Sequence, residues 1–113
     1  LFGRETFTME GDPSIPYIVG AWMRGLRDFD EQTAYEAMRK GATTPGEFNL
    51  LRPDANDYFS KGYVPLREQY DNSVSHALEY YIADWNLANF AHALGKKEEA
   101  KLFRVRSLGY KHY

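Results

Sequence analysis

The sequence predicts an all-α protein built from helical hairpins. Apolar residues recur at intervals of three and four along most of the chain, and typical helix-start and helix-stop residues bound these stretches. Polar and apolar residues alternate, as strands require, only over residues 5–8. We therefore expect helices over most of the 113 residues, a length that holds one domain at most.

The first hairpin is predicted to begin at Asp12. The pair Asp12-Pro13 combines a capping carboxylate with proline at the first helical position, where its missing N–H group costs nothing. Apolar residues then follow at helical spacing to about Arg27. A second helix is expected from near Asp30, and Gly41 is expected to end it in the left-handed conformation.

The middle of the chain is predicted to be largely irregular. Pro45 and Gly46 indicate a loop over residues 42–51. A short helix is expected over residues 54–60, and Gly62 should stop it. This segment separates the first hairpin from the second.

The second hairpin carries the strongest helical pattern. Asn72 or Ser73 is expected to cap a long helix that Gly95 closes. Its apolar positions follow the helical period and are Val74, Leu78, Tyr81, Ile82, Trp85, Ala88, Ala91 and Leu94. An amphipathic partner helix is predicted from Lys96 onward.

The spacing of the two hairpins favours a ring of helix pairs. They begin about 60 residues apart, whereas tetratricopeptide units, which residues 93–100 resemble locally, repeat about every 34 residues. The longer period suits a toroid in which an outer ring of helices surrounds an inner ring. Because two hairpins make only part of such a ring, we interpret the chain as an internal segment. A helical-repeat interaction module is the alternative.

Composition and charge exclude several functions. The 14 basic and 16 acidic residues are mixed along the chain, so we expect neither nucleic acid nor a membrane surface as partner. Without cysteine there is no disulfide, thiolate nucleophile or cysteine-bound zinc. The three histidines are too scattered to predict a metal site. No compartment is assigned, and a secreted or periplasmic parent is compatible with the sequence.

Carboxylates and serines remain as candidates for chemistry. Helix capping is the expected main role of Asp12, and Ser73 and Ser75 are also expected to cap with their hydroxyls. Glu79 lies among tyrosines, where a buried carboxylate would need partners or a raised pKa. Glu79 and Asp84 are five residues apart and do not share a helix face, so they are not predicted to act as a catalytic pair.

Several strings are distinctive in combination. They are Met9-Glu10-Gly11-Asp12-Pro13-Ser14-Ile15-Pro16, Gly25-Leu26-Arg27-Asp28-Phe29-Asp30, Ala34-Tyr35 with Ala37-Met38, Gly62-Tyr63-Val64-Pro65, and Ser73-Val74-Ser75-His76-Ala77-Leu78-Glu79-Tyr80 followed by Asp84-Trp85. Together they resemble glycoside hydrolase family 92, whose members are calcium-dependent exo-acting α-mannosidases that invert at the anomeric carbon. The resemblance runs from about Thr8 to Tyr110.

The resemblance implies that residues 1–113 are a partial segment of an (α/α)6 catalytic domain, with no complete second domain. It places the proton donor in a Glu-Gly-Asn-Ala-Trp motif and the general base in an acidic Gly-Asn-Asp/Glu-Asp cluster, and neither string occurs in this sequence. Both, together with the Ca²⁺ ligands, are expected further towards the C-terminus of a parent enzyme. No catalytic residue or metal ligand is therefore expected in this chain.

The resemblance also implies a contribution to a pocket for mannose-containing glycans. The expected substrate-binding positions, in direct contact or supporting one, are Asp12, Tyr63, Ser73, Ser75 and Glu79. Many family members have Gly-Asp-His where this chain has Gly11-Asp12-Pro13, so the finer sugar specificity stays open.

The segment by itself is expected to be inactive. We expect its apolar faces to be covered by the remainder of the parent polypeptide or by self-association. A different helical-toroid carbohydrate enzyme, such as a lyase or an inverting glucosidase, is a further alternative.

Overall fold

A computed structural model describes residues 10–66 and 72–113, which form helices and connecting turns with no strand. The α-helices are α1 (Ser14–Met23), α2 (Glu31–Thr43), α3 (Ala55–Lys61), α4 (Ser73–Ala93) and α5 (Lys97–Ser107), with short 3₁₀ helices at Gly46–Phe48 and Leu108–His112. The all-α prediction is confirmed. The strand-like pattern over residues 5–8 lies outside the described residues.

The central helix is α4, which contacts α1, α2, α5 and the 3₁₀ helix Leu108–His112. Aromatic rings form the middle of the main core: Trp22 stacks on Phe90 with ring centroids 5.2 Å apart, and the Tyr35 ring lies 6.1 Å from that of Phe90. A smaller cluster around Tyr58 and Tyr80 packs beside the first half of α4. The core therefore lies on one side of α4.

Several predicted helix ends are confirmed. Asp30 caps α2, because its carboxylate accepts a hydrogen bond from the Thr33 N–H group at 3.0 Å. Gly62 ends α3 with a φ of 78°, and Gly95 follows α4 with a φ of 81°. Both values lie in the left-handed region that glycine adopts without steric cost.

Other predicted ends are wrong. Gly41 does not stop α2, which continues to Thr43, and the side chain of Asn49 donates to the Gly41 carbonyl at 2.6 Å. The first helix ends at Met23 rather than near Arg27, since Gly25 turns the chain with a φ of 94°. The region expected to be a plain loop contains the end of α2 and a 3₁₀ turn.

The start of α1 also differs from the prediction. Pro13 occupies the cap position and no side chain caps the helix. The carboxylate of Asp12 is turned away towards a buried arginine, as described below. Asn72 occupies the cap position of α4 but makes no side-chain capping bond, and Ser73 is already the first helical residue. The Ser75 hydroxyl donates to Glu10 instead. The capping roles expected for Asp12, for Asn72 or Ser73, and for Ser75 are therefore wrong.

The two tryptophans have different environments. Trp22 is 6% exposed, whereas Trp85 is 44% exposed on the outer side of α4. The described residues therefore do not enclose both rings. Among them, no helix combines the length and hydropathy needed to cross a bilayer.

Candidate functional site

Buried charges gather beside the first half of α4, and Arg52 is at their centre. Its side chain is fully buried. Its Nε and Nη2 groups donate to the Asp12 carboxylate at 3.0–3.2 Å, and its Nη1 group donates to Asp84 Oδ1 at 2.9 Å. The loop that carries Arg52 is held by Asn49, whose side-chain oxygen accepts from the Arg52 N–H group at 3.0 Å.

Asp84 joins this cluster to two further elements. Its Oδ2 atom accepts from the Tyr58 hydroxyl at 2.7 Å and lies 3.0 Å from Nε of Arg106 in α5. Arg106 also donates through Nη2 to the Ala42 carbonyl at 2.9 Å. We call Asp12, Arg52, Tyr58, Asp84 and Arg106 the buried charge cluster. Its two carboxylates and two guanidinium groups balance in charge.

Burial dominates the electrostatics of this cluster. It raises the pKa of Asp12, although Arg52 acts in the opposite direction. Burial would lower the pKa of Arg52, but Asp84 and Asp12 outweigh it and raise that pKa, so the guanidinium stays charged. Burial and the neighbouring Asp84 raise the pKa of Tyr58, which keeps its proton and donates it in the hydrogen bond.

A second polar chain runs from the interior to the surface along α4. The buried carboxylate of Asp54 accepts from the Tyr80 hydroxyl and lies 3.0 Å from Nδ1 of His76. Nε2 of His76 lies 3.9 Å from Glu10 Oε1. The carboxylate of Glu10 accepts hydrogen bonds from the Asn72 amide and the Ser75 hydroxyl. The Ser75 bond lowers the pKa of Glu10 against the opposing effect of burial.

Glu79 lies next to the loop that carries Glu10 and Asp12. It is half-buried, and no other residue of 10–66 or 72–113 hydrogen-bonds or ion-pairs with it. The approach is close: a Cβ atom added to Gly11 would lie 2.9 Å from Glu79 Cβ. Gly11 also has a φ of 70°, so two independent constraints require glycine here.

The structure brings together only some of the predicted site residues. Asp12 is committed to Arg52, Ser75 to Glu10, and Ser73 is buried at the start of α4. Tyr63 lies elsewhere, with its ring packed against those of His112 and Tyr113 at the C-terminus. Two of the five predicted residues, Asp12 and Glu79, are acidic. Because Asp12 is bound to Arg52, Glu79 is the one whose carboxylate has no partner among the described residues and is available for a ligand.

Comparison with known proteins shows the family of this chain. The family model "Glycosyl hydrolase family 92 catalytic domain" matches residues 1–113. The chain belongs to glycoside hydrolase family 92. Among solved structures, the inverting mannosidase of this family from Bacteroides thetaiotaomicron superimposes with a TM-score of 0.85 at 30% sequence identity. The alignment covers 96% of this chain but 15% of that mannosidase. No curated protein matches the chain.

Sequence reasoning identified the family but missed several polar residues of the site in this family 92 chain, among them Asp84, His76, Arg52 and Asp54. Asp84 gave a usable signal, because it is a charge among the apolar positions of a long helix. His76 precedes Tyr80 by one helical turn, which could have suggested that the two share a partner. Arg52 and Asp54 gave no such signal, since neither lies inside an apolar helical pattern and their partners are distant in sequence.

The described residues do not form a complete site for the Ca²⁺ that is expected for the family. No group of three or more His, Asp or Glu side chains within residues 10–66 and 72–113 has the geometry to hold a metal ion. Three of the buried carboxylates already bind cationic or hydroxyl partners. These residues do not fit a Ca²⁺ ion, which takes six to eight oxygen ligands.

Proposed function

We propose that this chain forms part of the catalytic domain of an inverting α-mannosidase that releases terminal α-linked mannose. The observation that carries the proposal is the whole-chain match to the family 92 catalytic domain. The superposition on an inverting mannosidase at 30% identity supports it. The chain spans 15% of that enzyme's length, which supports the proposal that residues 1–113 are one segment of a longer active protein.

The chemistry of inversion needs two free carboxyl groups. One protonates the leaving oxygen and the other activates a water on the opposite face, with the groups roughly 6.5–9.5 Å apart. In this chain, Asp12 and Asp84 share Arg52, and Asp54 is bonded to Tyr80. These carboxylates hold helices together and are not available as acid and base. We therefore propose that the catalytic pair, and the ligands of any Ca²⁺, lie in the remaining enzyme, and that the segment alone is inactive.

Glu79 is the residue through which this chain best contributes to a sugar pocket. A carboxylate accepts hydrogen bonds from sugar hydroxyls, and Glu79 has neither an ion-pair nor a hydrogen-bond partner within the described residues. Asp12 and Ser73 then act as supports: Asp12 fixes the loop through Arg52, and Gly11 in that loop packs on Glu79. Ser75 acts through Glu10, and Tyr63 would belong to a separate part of the wall.

The function is tested in the full-length enzyme that contains this segment. Release of mannose from α-linked mannobioses, followed by NMR, should give β-mannose as the first product, as inversion requires. A calcium chelator should abolish the release, and added Ca²⁺ should restore it. Retained anomeric configuration, or no hydrolysis of any α-mannoside in the presence of Ca²⁺, would refute the proposal.

The role of Glu79 is tested by Glu79→Gln in the same enzyme. We expect KM for the disaccharide to rise about tenfold, which corresponds to ~1.4 kcal/mol of lost binding, with a smaller change in kcat. Glu98→Gln, at an exposed position in the first turn of α5, removes the same charge and serves as the control. Equal KM values for the two variants would contradict a sugar-binding role for Glu79.

A further inference from the structure

One side of the first turns of α4 contacts the loop that precedes α1. Asn72, Ser75, His76 and Glu79 are separated by three, one and three residues, so their side chains share this side of the helix. The first three approach the carboxylate of Glu10. Asn72 and Ser75 donate hydrogen bonds to it, and Nε2 of His76 lies 3.9 Å from its Oε1 atom. The start of α4 therefore holds Glu10 at three points.

The imidazole ring of His76 lies between two carboxylates. Its Nδ1 atom is 3.0 Å from Oδ2 of Asp54, whose side chain is fully buried, while Nε2 faces the partly exposed Glu10. The His76 side chain is itself 15% exposed, so it can exchange protons with solvent. Because a carboxylate accepts hydrogen bonds, Asp54 takes the Nδ1–H group and leaves Nε2 as the nitrogen that gains or loses a proton.

The charge of this ring decides whether Nε2 repels or attracts Glu10. In the neutral ring, the lone pair of Nε2 faces a negatively charged oxygen. In the protonated ring, Nε2 carries a hydrogen and both carboxylates become ion-pair partners of the imidazolium. Histidine side chains generally change charge between roughly pH 5 and 8. The contact between His76 and Glu10 should therefore strengthen as pH falls through this range.

The other groups around the ring keep their charge over the same range. Among residues 10–66 and 72–113, the titratable groups against His76 are Glu10, Asp54 and Tyr80, and none of them is a cation. Burial and the hydrogen bond to Asp54 raise the pKa of Tyr80, so its hydroxyl stays protonated. The Ser75 bond lowers the pKa of Glu10 below its ordinary value of 4.5, so that carboxylate stays ionised.

Glu10 is connected to the proposed sugar-binding residue Glu79 through Gly11. Gly11 follows Glu10 directly, and a Cβ atom added to it would lie 2.9 Å from Glu79 Cβ. On the other side of Gly11, Asp12 is bound to the buried Arg52. The loop is thus held at both ends. The attachment at Asp12 is buried, whereas the attachment at Glu10 is open to solvent and includes a histidine.

We propose that His76 is a positioning residue whose protonated form holds Glu10 against α4 and so fixes the loop of residues 10–12 beside Glu79. The inference deepens the proposed function and rests on it, because it gives a pH dependence to the site of the proposed sugar-binding carboxylate. Loss of the proton removes the ionic contact and leaves the two hydrogen bonds to Glu10 from the start of α4. The loop then loosens without unfolding, and affinity for the mannoside falls.

The test compares KM of His76→Gln with that of the wild-type full-length enzyme, using an α-linked mannobiose. At about pH 5.5 we expect KM of the variant to be about fivefold higher, with little change in kcat, and at about pH 8 we expect the two KM values to be nearly equal. The ratio at each pH cancels the titration of catalytic groups that both enzymes share. A merely structural role for His76 would raise KM by the same factor at both pH values.

Control variants come from the same contact and the same helix. Ser75→Ala removes a hydrogen bond to Glu10 from a group that does not titrate, so it should raise KM by the same factor at both pH values. His92→Gln removes an exposed imidazole near the end of α4 and should leave KM unchanged at both. If His76→Gln does not fold, Glu10→Gln replaces it, because it breaks the same contact from the exposed side. A KM ratio for this contact that does not depend on pH would overturn the proposal.

Hydrogen–deuterium exchange in the full-length enzyme, read by mass spectrometry, tests the loop without catalysis. The Ile15 N–H group donates to the Asp12 carbonyl at 3.1 Å, so its protection reports how firmly the loop is held at the start of α1. In His76→Gln, the peptide that contains Ile15 should exchange at least about twofold faster than in wild type at about pH 5.5, and equally fast at about pH 8. A peptide from α5 should not differ at either pH.

The two measurements separate the possible failures. Unchanged exchange of the Ile15 peptide at pH 5.5 would overturn the proposal, as would a change in exchange that is not accompanied by a change in KM. An enzyme that hydrolyses no α-mannoside but shows the pH-dependent exchange would refute the proposed function, and the hold of His76 on the loop would stand.

Discussion

Two adjacent residues of α4, Asp84 and Trp85, reverse the usual distribution of polar and apolar residues between the inside and the outside of a helix. Asp84 is fully buried on the inner side, while its neighbour Trp85 is 44% exposed on the outer side. Asp84 is stable there because Arg52, Arg106 and the Tyr58 hydroxyl contact both of its oxygens. Partners, and not side-chain polarity alone, therefore decide whether an individual residue of this helix is buried.

The largest expected effect comes from breaking the inner side at Arg52. Arg52→Met leaves the carboxylates of Asp12 and Asp84 buried without their shared cation, and such a loss costs about 3–5 kcal/mol. Urea unfolding of the chain, followed by circular dichroism, measures the change. Arg39→Met is the control, since its ion pair with Glu36 is on the surface and is worth no more than ~1 kcal/mol. A loss for Arg52→Met no larger than that of the control would show that the cluster does not stabilise the fold.

A smaller effect on stability is expected at Gly109, which packs against Tyr81 of α4. A Cβ atom at Gly109 would lie 2.4 Å from the Gly62 carbonyl oxygen and 2.6 Å from the Tyr81 ring. Gly109→Ala should therefore destabilise the chain by about 1–3 kcal/mol through overcrowding. Gly41→Ala should act in the opposite direction, stabilising α2 by roughly 0.5–1 kcal/mol, because the new Cβ meets its nearest neighbour at an ordinary 3.7 Å. Thermal unfolding measures both, and shifts of the same sign would contradict this difference in packing.

The smallest expected effect concerns the exposed hydrogen bond between Ser75 of α4 and Glu10, and it depends on pH. The Ser75 hydrogen bond lowers the pKa of Glu10, so its stabilising contribution is present above the ordinary value of 4.5 and is lost as pH falls through the lowered pKa. Ser75→Ala should raise the pKa of Glu10 towards that ordinary value. Its destabilisation should be measurable at neutral pH and vanish in acid.

NMR titration of the side-chain carboxyl carbons checks this prediction. The pKa of Asp30, which its bonds to Thr33 lower, provides an internal control that Ser75→Ala should leave unchanged. The pH dependence of stability has the opposite sign at Asp12, on the buried side of α4. Burial raises the pKa of Asp12, so the contribution of Asp12 to stability is present at low pH and is lost as pH rises through that raised value. An unchanged Glu10 titration would show that the Ser75 bond does not form in solution.

Much of the fold was predictable because its signals are local. The helical period, the Asp30 cap and the glycines at 62 and 95 each act within a few residues of their position. Gly41 was misassigned because a glycine can end a helix or lie within one, and here the contacts of α2 carry the helix to Thr43. The family could also be recognised from the sequence, because the short strings that carry the resemblance can be identified without knowing which residues they contact.

By itself, the sequence determined the all-helical class, most helix positions and membership of family 92. Only the tertiary structure decided that Asp12 serves Arg52 and not a helix end, that Asp84 is buried, and that Glu79 lacks a partner within the described residues. The reason is distance along the chain: Arg52 is 40 residues from Asp12 and 32 from Asp84, and no local pattern links side chains so far apart. These ion pairs exist only where the packing of the helices brings their side chains together.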